Sequence, residues 1–352
     1  MTILIYGAYG YSGRLITEEA CKQGLDVQIA GRNESKLAPI ASQFNLKHHA
    51  VSLDDGIALR ALLKTVQLVI HCAGPFSATA KPMIEACIET GTHYLDITGE
   101  VSVFEYVHSS EVDRRATEAG IILCPGVGFD VIPTDCVASK LKEVLPDAEQ
   151  LILAFAGGNA LSPGTAKTMV ESFGVGLQVR QDGKIITVPF REKDIDFGSG
   201  EKSCMAISWG DVSTAYHSTG IPNIDVYVPA SSNVIRGMKL LRGARWLFKP
   251  KFAQKLLQSK IEHRVEGPSA NVRSANPSSI YGEAVNARGK RIQARLKTLN
   301  GYDVTKYGAI EVAKRILNEG SGRRGSITPS LLCGNSLASE IPGSSPIEIY
   351  ES

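Results

Sequence analysis

Apolar residues over the first 145 positions fall into two alternating kinds of run. Ile3–Tyr6 is a short, continuous apolar segment closed by a glycine, the pattern of a parallel strand buried on both faces. Tyr11–Gln23 then reads as a helix, Asp26–Ala30 as a strand and Glu34–Phe44 as a helix. Lys47–Val51, Gln67–Cys72, His93–Ile97 and Ile121–Cys124 read as further strands, with helices near Gly56–Leu63, Thr79–Glu89 and Val103–Ala119 between them. Alternation at this spacing implies right-handed strand–helix–strand crossovers and a doubly wound sheet.

The pattern changes beyond residue 148. Gln150–Ala156 is strand-like, Thr165–Gly174 helical, and Val179–Val188 carries Asp182-Gly183, a hairpin turn signal. A second hairpin runs from Ser279 to Leu299 and turns near Asn286–Lys290. Tyr302–Asn318 is helical, with Val304, Ala309, Ile310, Ala313, Ile316 and Leu317 on its apolar positions. Gly320–Gly325 and Gly343–Ser345 read as loops. The chain thus reads as α/β, with an N-terminal doubly wound domain over 1–148. An α+β domain with a mainly antiparallel sheet, for substrate and dimerisation, follows over 149–300. Residues 301–352 are expected to pack back on the first domain.

At 352 residues the chain suits two domains. A net charge of +2 argues against nucleic-acid binding through bulk charge. The seven cysteines form no C-x-x-C pair, so no metal site is expected, and the pattern suits reduced thiols in the cytoplasm. The N-terminus lacks the basic region and cleavage-like site of a signal peptide, and no apolar run reaches membrane-spanning length.

The chemistry begins at Gly7-Ala8-Tyr9-Gly10-Tyr11-Ser12-Gly13, between the first strand and the first helix. Gly7 permits the tight turn, Gly10 lets the backbone approach a pyrophosphate, and Gly13 lets the helix pack closely on the sheet. The helix N-terminus then receives the phosphates. Where NAD-specific sites carry an acidic residue after the second strand, this chain has Gly31-Arg32-Asn33, with Lys36 a helical turn further on. A guanidinium there suits the 2′-phosphate of NADP. The fourth strand ends in Cys72-Ala73-Gly74-Pro75, whose small residues leave room for a cofactor and whose proline stiffens the loop. His71 and Cys72 read as packing residues that close an apolar strand.

These residues resemble the Rossmann NADP-binding domain of the saccharopine dehydrogenase-like oxidoreductases. The likeness continues through Gly74-Pro75-Phe76, Tyr94–Glu100, Pro125–Asp130, Pro133-Thr134-Asp135, Gly164-Thr165 and Thr328-Pro329. Within that family it is nearer the branch that includes trans-acting enoyl reductases than saccharopine reductase itself. The resemblance implies hydride transfer between NADP(H) and a small-molecule or acyl substrate. Asp96, Glu100 and Asp130, at ends of predicted strands, are the candidate proton-handling groups. Each also has a structural alternative: Asp130 can cap the helix beginning near Ile132, and Glu100 can open the helix that follows it. A non-catalytic NADP(H)-binding redox sensor is the competing reading, since the same turn serves both.

One segment stands apart. From Arg236 to Lys260 eight cations run with no acidic residue, interleaved with Trp246, Phe248 and Phe252. It suits either two surface helices or a weak contact with anionic lipid or an acyl carrier. A homodimer is the expected assembly.

Overall fold

The computed structural model describes residues 2–157, 176–241, 267–319 and 322–351. In chain order the elements begin β1 (Ile3–Tyr6), α1 (Tyr11–Lys22), β2 (Val27–Gly31), α2 (Glu34–Phe44), β3 (His48–Ala50) and α3 (Gly56–Leu63). There follow β4 (Leu68–His71), α4 (Phe76–Thr90), β5 (His93–Asp96), α5 (Val101–Val107), α6 (Ser110–Glu118), β6 (Ile122–Cys124) and α7 (Ile132–Val144). Next come β7 (Ala148–Ala156), β8 (Leu177–Gln181), β9 (Lys184–Val188), β10 (Glu192–Asp196), β11 (Glu201–Ile207), α8 (Asp211–Thr219) and β12 (Asn223–Pro229). The remainder is α9 (Ser232–Leu241), α10 (Ala270–Ser274), β13 (Ser278–Asn286), β14 (Arg291–Thr298), α11 (Gly301–Glu319), β15 (Gly325–Ser326), α12 (Pro329–Cys333), α13 (Leu337–Glu340) and β16 (Glu348–Glu351).

Two compact units result: residues 1–132 with 302–334, and residues 133–301 with 335–352. In the first, seven parallel strands lie in the order β15-β6-β5-β4-β1-β2-β3. Strand β1 is central because every one of its residues is apolar and buried, so both sheet faces can be covered by helices. It pairs Ile3 with Val27 on one side and Leu68 on the other. The order reverses between β1 and β4, and the crevice at that switch point is where such sheets bind ligands.

The expected single helix over Val103–Ala119 is two. Ser109, at φ −65° and ψ 144°, leaves the helical region and precedes α6, and its hydroxyl donates to the Tyr106 carbonyl. Glu111 and Asp113 in the first turn of α6 favour a new start through the helix dipole.

The second unit holds a sheet with β10-β11-β12-β7-β13-β14-β16 as its main path and the β8–β9 hairpin joined to β12. Among the described residues only β12 and β7 run parallel in this sheet. The hairpin turn has positive φ at both Asp182 and Gly183, as a tight two-residue connection requires. Helix α7 belongs to this unit, which moves the boundary from the expected 148 to 132. Gly282 of β13 explains why: a methyl group there would stand 2.4 Å from Val137 and 2.7 Å from Leu141, so α7 lies directly on the strand. The C-terminal segment is likewise divided. Residues 302–334 join the first unit, where β15 extends the parallel sheet beside β6, whereas β16 pairs with β14 in the second. The helix expected over Thr165–Gly174 and the stretch Arg242–Lys260 lie outside the described residues. Among the described residues no helix is long and apolar enough to cross a membrane, and all seven cysteines are free thiols.

Candidate cofactor and active site

The glycine turn has the geometry its spacing implies. Gly7 has a φ of 87°, and a methyl group on it would meet the Ala73 nitrogen at 2.8 Å. The turn therefore touches the loop after β4. Gly10 donates its N–H to the Gly7 carbonyl at 2.9 Å and stands at the N-cap of α1. Gly13 faces that same carbonyl at 2.3 Å from where its Cβ would be. No side chain caps α1 and no acidic residue occupies its first turn. The N–H groups of Tyr11, Ser12 and Gly13 thus begin a helix whose positive end faces the switch point with no carboxylate of its own turn.

At the end of β2 the ring of Tyr9 lies against Gly31: a Cβ there would be 2.6 Å from Tyr9 Cε1. Arg32 and Lys36 are both exposed, and Lys36 Nζ stands 5.7 Å from the centre of the Tyr9 ring. Neither makes an ion pair among the described residues. Asn33 has a different role from the cations beside it. Its Oδ1 accepts the Lys36 N–H at 3.2 Å and the Ser35 hydroxyl at 2.8 Å, so it caps α2. Ala73, Gly74 and Pro75 form the loop after β4, with Thr79 donating its hydroxyl to the Ala73 carbonyl at 2.6 Å.

His71 and Cys72 are packing residues. His71 is fully buried among Tyr6, Phe76 and Tyr94, and burial lowers its pKa to about 3, so the ring is neutral. Burial pushes the Cys72 thiol far above the physiological range, which leaves no thiolate for chemistry.

The three candidate carboxyls divide sharply. Asp96 is fully buried at the end of β5. Its oxygens accept the Tyr94 hydroxyl at 2.6 Å, the Thr98 N–H at 3.0 Å and the Gly126 N–H at 2.9 Å. Burial raises its pKa to about 6, with those donors opposing the shift. It ties the loop after β5 to the loop after β6. Glu100 stands at the start of α5, yet its side chain does not cap that helix. It reaches the preceding one instead, accepting the N–H of Phe76 at 2.7 Å and of Ser77 at 2.6 Å at the head of α4. Asp130 makes no comparable set of bonds. Its Oδ2 lies where a methyl group on Gly99 would be 2.6 Å away, and desolvation raises its pKa to about 7 although the residue keeps partial solvent contact.

Two supports were invisible in the sequence. Thr305 of α11 accepts the Phe129 N–H at 3.0 Å, beside Asp130, and Tyr302 packs edge-on against Tyr11 with ring centres 4.9 Å apart. Nothing in the spacing of residues 302–305 marks them, because their partners lie far away in the chain.

The role of Asp96 predicts a large structural effect. Asp96→Ala leaves one hydroxyl and two backbone N–H groups buried without their acceptor. At about 1–3 kcal/mol for each orphaned group, the first unit should lose at least ~3 kcal/mol. Urea unfolding followed by circular dichroism should show a markedly lower midpoint. An unchanged midpoint would mean that Asp96 is not a structural hub.

Comparison with known proteins finds relatives in sequence and in fold. Residues 3–124 fit the family model for the saccharopine dehydrogenase NADP binding domain. A human saccharopine dehydrogenase-like oxidoreductase is 28% identical over 197 residues, covering 49% of this chain and 46% of the relative. A Mycobacterium tuberculosis protein named as a candidate trans-acting enoyl reductase is 28% identical over 184 residues, covering 48% and 43%. The chain thus aligns with less than half the length of these curated relatives. Saccharopine dehydrogenase (L-Glu forming) from Saccharomyces cerevisiae shares the fold across 100% of this chain and 99% of its own, with a TM-score of 0.64 at 12% identity.

Proposed function

We propose that this chain, whose residues 3–124 match the saccharopine dehydrogenase NADP binding domain, transfers hydride between NADP(H) and a small-molecule or acyl substrate. One observation carries this reading. At the switch point the head of α1 has no side-chain cap and no acidic residue in its first turn, and two exposed cations, Arg32 and Lys36, follow the end of β2. A diphosphate finds the helix N-terminus and a 2′-phosphate finds the cations. Bound NADPH supplies the hydride.

Asp130 is the proton-handling group in this scheme. Asp96 and Glu100 have their carboxylates engaged by structural donors, whereas Asp130 is held near neutrality by desolvation. Below about pH 7 it carries the proton that a reduced imine, carbonyl or enoyl acceptor needs; above that pH it has lost it. Reductive kcat/KM should therefore fall as pH rises through about 7. Asp130→Asn should remove that limb and lower turnover on the order of a hundredfold. The assay follows NADPH oxidation with imine, carbonyl and enoyl-thioester acceptors. Tight NADPH binding without oxidation by any of them would favour the redox-sensor reading.

The seven free thiols support a reducing, cytoplasmic setting. A homodimer formed through the second unit is part of the same proposal. So is a weak lipid or acyl-carrier contact through the cations of residues 236–260.

A further inference from the structure

Two helices open toward the switch point from neighbouring strands, α1 after β1 and α4 after β4. Both N-termini present backbone N–H groups and a positive dipole end, and either is competent to hold an anion. They are treated in opposite ways. The head of α1 has no side-chain cap and no acidic residue in its first turn. The head of α4 is filled by a carboxylate from the next strand's loop: Glu100, only 9% exposed, accepts the Phe76 and Ser77 N–H groups at 2.7 and 2.6 Å.

The backbone that carries this carboxylate is held in place by a short relay. The Glu100 N–H donates to Thr98 Oγ1 at 3.1 Å, the Thr98 N–H donates to Asp96 at 3.0 Å, and Asp96 is anchored to Gly126. Through Phe76 and Ser77, Glu100 therefore fixes the Ala73–Pro75 loop from the core side. That loop lies against Gly7, at the turn that receives the diphosphate. The adenosine half of a dinucleotide extends from the switch point toward β2 and Arg32; the other half extends toward β4 and β5.

We infer that Glu100 is a positioning residue for the nicotinamide half of the cofactor: it occupies the α4 N-terminus as a built-in anion, leaves α1 as the diphosphate site, and fixes the Ala73–Pro75 loop beside the nicotinamide ribose. This inference rests on the NADP(H) reading above. It separates the two halves of the ligand. Loss of the Glu100 charge should loosen the nicotinamide half and leave the adenosine half alone, whereas a residue that merely supports the fold would affect both.

The test titrates wild type and Glu100→Gln with NADPH and with 2′,5′-ADP, which has the adenosine and 2′-phosphate but no nicotinamide. NADPH should bind the variant about tenfold more weakly, while 2′,5′-ADP stays within about twofold of wild type. If Glu100→Gln does not fold, Glu100→Asp keeps the charge with a shorter reach and should give the same split at smaller size. Equal weakening of both ligands, or no change in either, overturns the inference. A wild type that binds neither ligand overturns the NADP(H) reading instead.

Discussion

Replacing Arg32 with aspartate should weaken NADPH binding by about tenfold to a hundredfold and shift preference toward NADH. Arg32 follows Gly31 at the carboxyl end of β2, is exposed, and makes no ion pair among the described residues. It is available to grip a 2′-phosphate by charge-assisted hydrogen bonds, each contributing about 1.5–3 kcal/mol. Aspartate removes them, adds repulsion against the phosphate, and supplies an acceptor for the free ribose 2′-hydroxyl of NADH. Lys36 remains nearby, so some NADPH binding should persist. Because the site is exposed, the difference should shrink as salt is raised. Fluorescence titration with both cofactors at two ionic strengths measures this directly. An unchanged ratio of the two affinities would remove Arg32 from the site.

Gly13→Ala should have the second large effect. The added methyl would stand 2.3 Å from the Gly7 carbonyl oxygen and 3.0 Å from the Gly7 carbonyl carbon, both rigid backbone. Relief requires α1 to move outward by about an ångström, a shift that overpacked sites make at a cost of roughly 1–3 kcal/mol. The same movement carries the helix N–H groups away from the diphosphate. NADPH affinity should fall on the order of a hundredfold, together with a lower melting temperature. Gly10→Ala provides the contrast. Its methyl would be 3.2 Å from the same oxygen, so the apo fold should survive while the diphosphate is crowded. If both variants bind NADPH like wild type, the turn does not hold the cofactor.

The first unit was legible because its strands are continuous apolar runs separated by amphipathic helices. Ile3–Tyr6 and Leu68–His71 are buried at every position, as a parallel strand flanked by helices must be. In the second unit the sequence pattern reveals much less. β10 reads Glu-Lys-Asp-Ile-Asp and β16 reads Glu-Ile-Tyr-Glu, polar edge strands with no apolar alternation to mark them. Their pairing partners, β11 and β14, supply what their own sequences do not. The boundary was misplaced for a related reason. Helix α7 has the amphipathic character of its predecessors, and only Gly282, 140 or so residues later, reveals which sheet it covers.

The candidate site divides along the same line. The glycine turn is a local device, so its geometry follows from spacing. The carboxyls are not local. Glu100 reads as the opening residue of its own helix, yet its side chain closes α4, because the loop after β5 passes beside the head of the neighbouring crossover helix. Asp96 and Asp130 look equivalent as strand-end acids. Tyr94, Thr98 and Gly126 surround one with donors, while the other meets the bare face of Gly99. That distinction is made by tertiary packing alone, and it is the reason the proposed proton chemistry is assigned to Asp130 and not to Asp96.

In the function proposed above, the α1 turn and Arg32 together form an NADP(H) site. Parallel calorimetric titrations of the wild-type chain with NADPH and NADH test it most directly. One saturable site should bind NADPH at least about tenfold more tightly than NADH. Equal affinity, tighter binding of NADH, or no binding of either would contradict it.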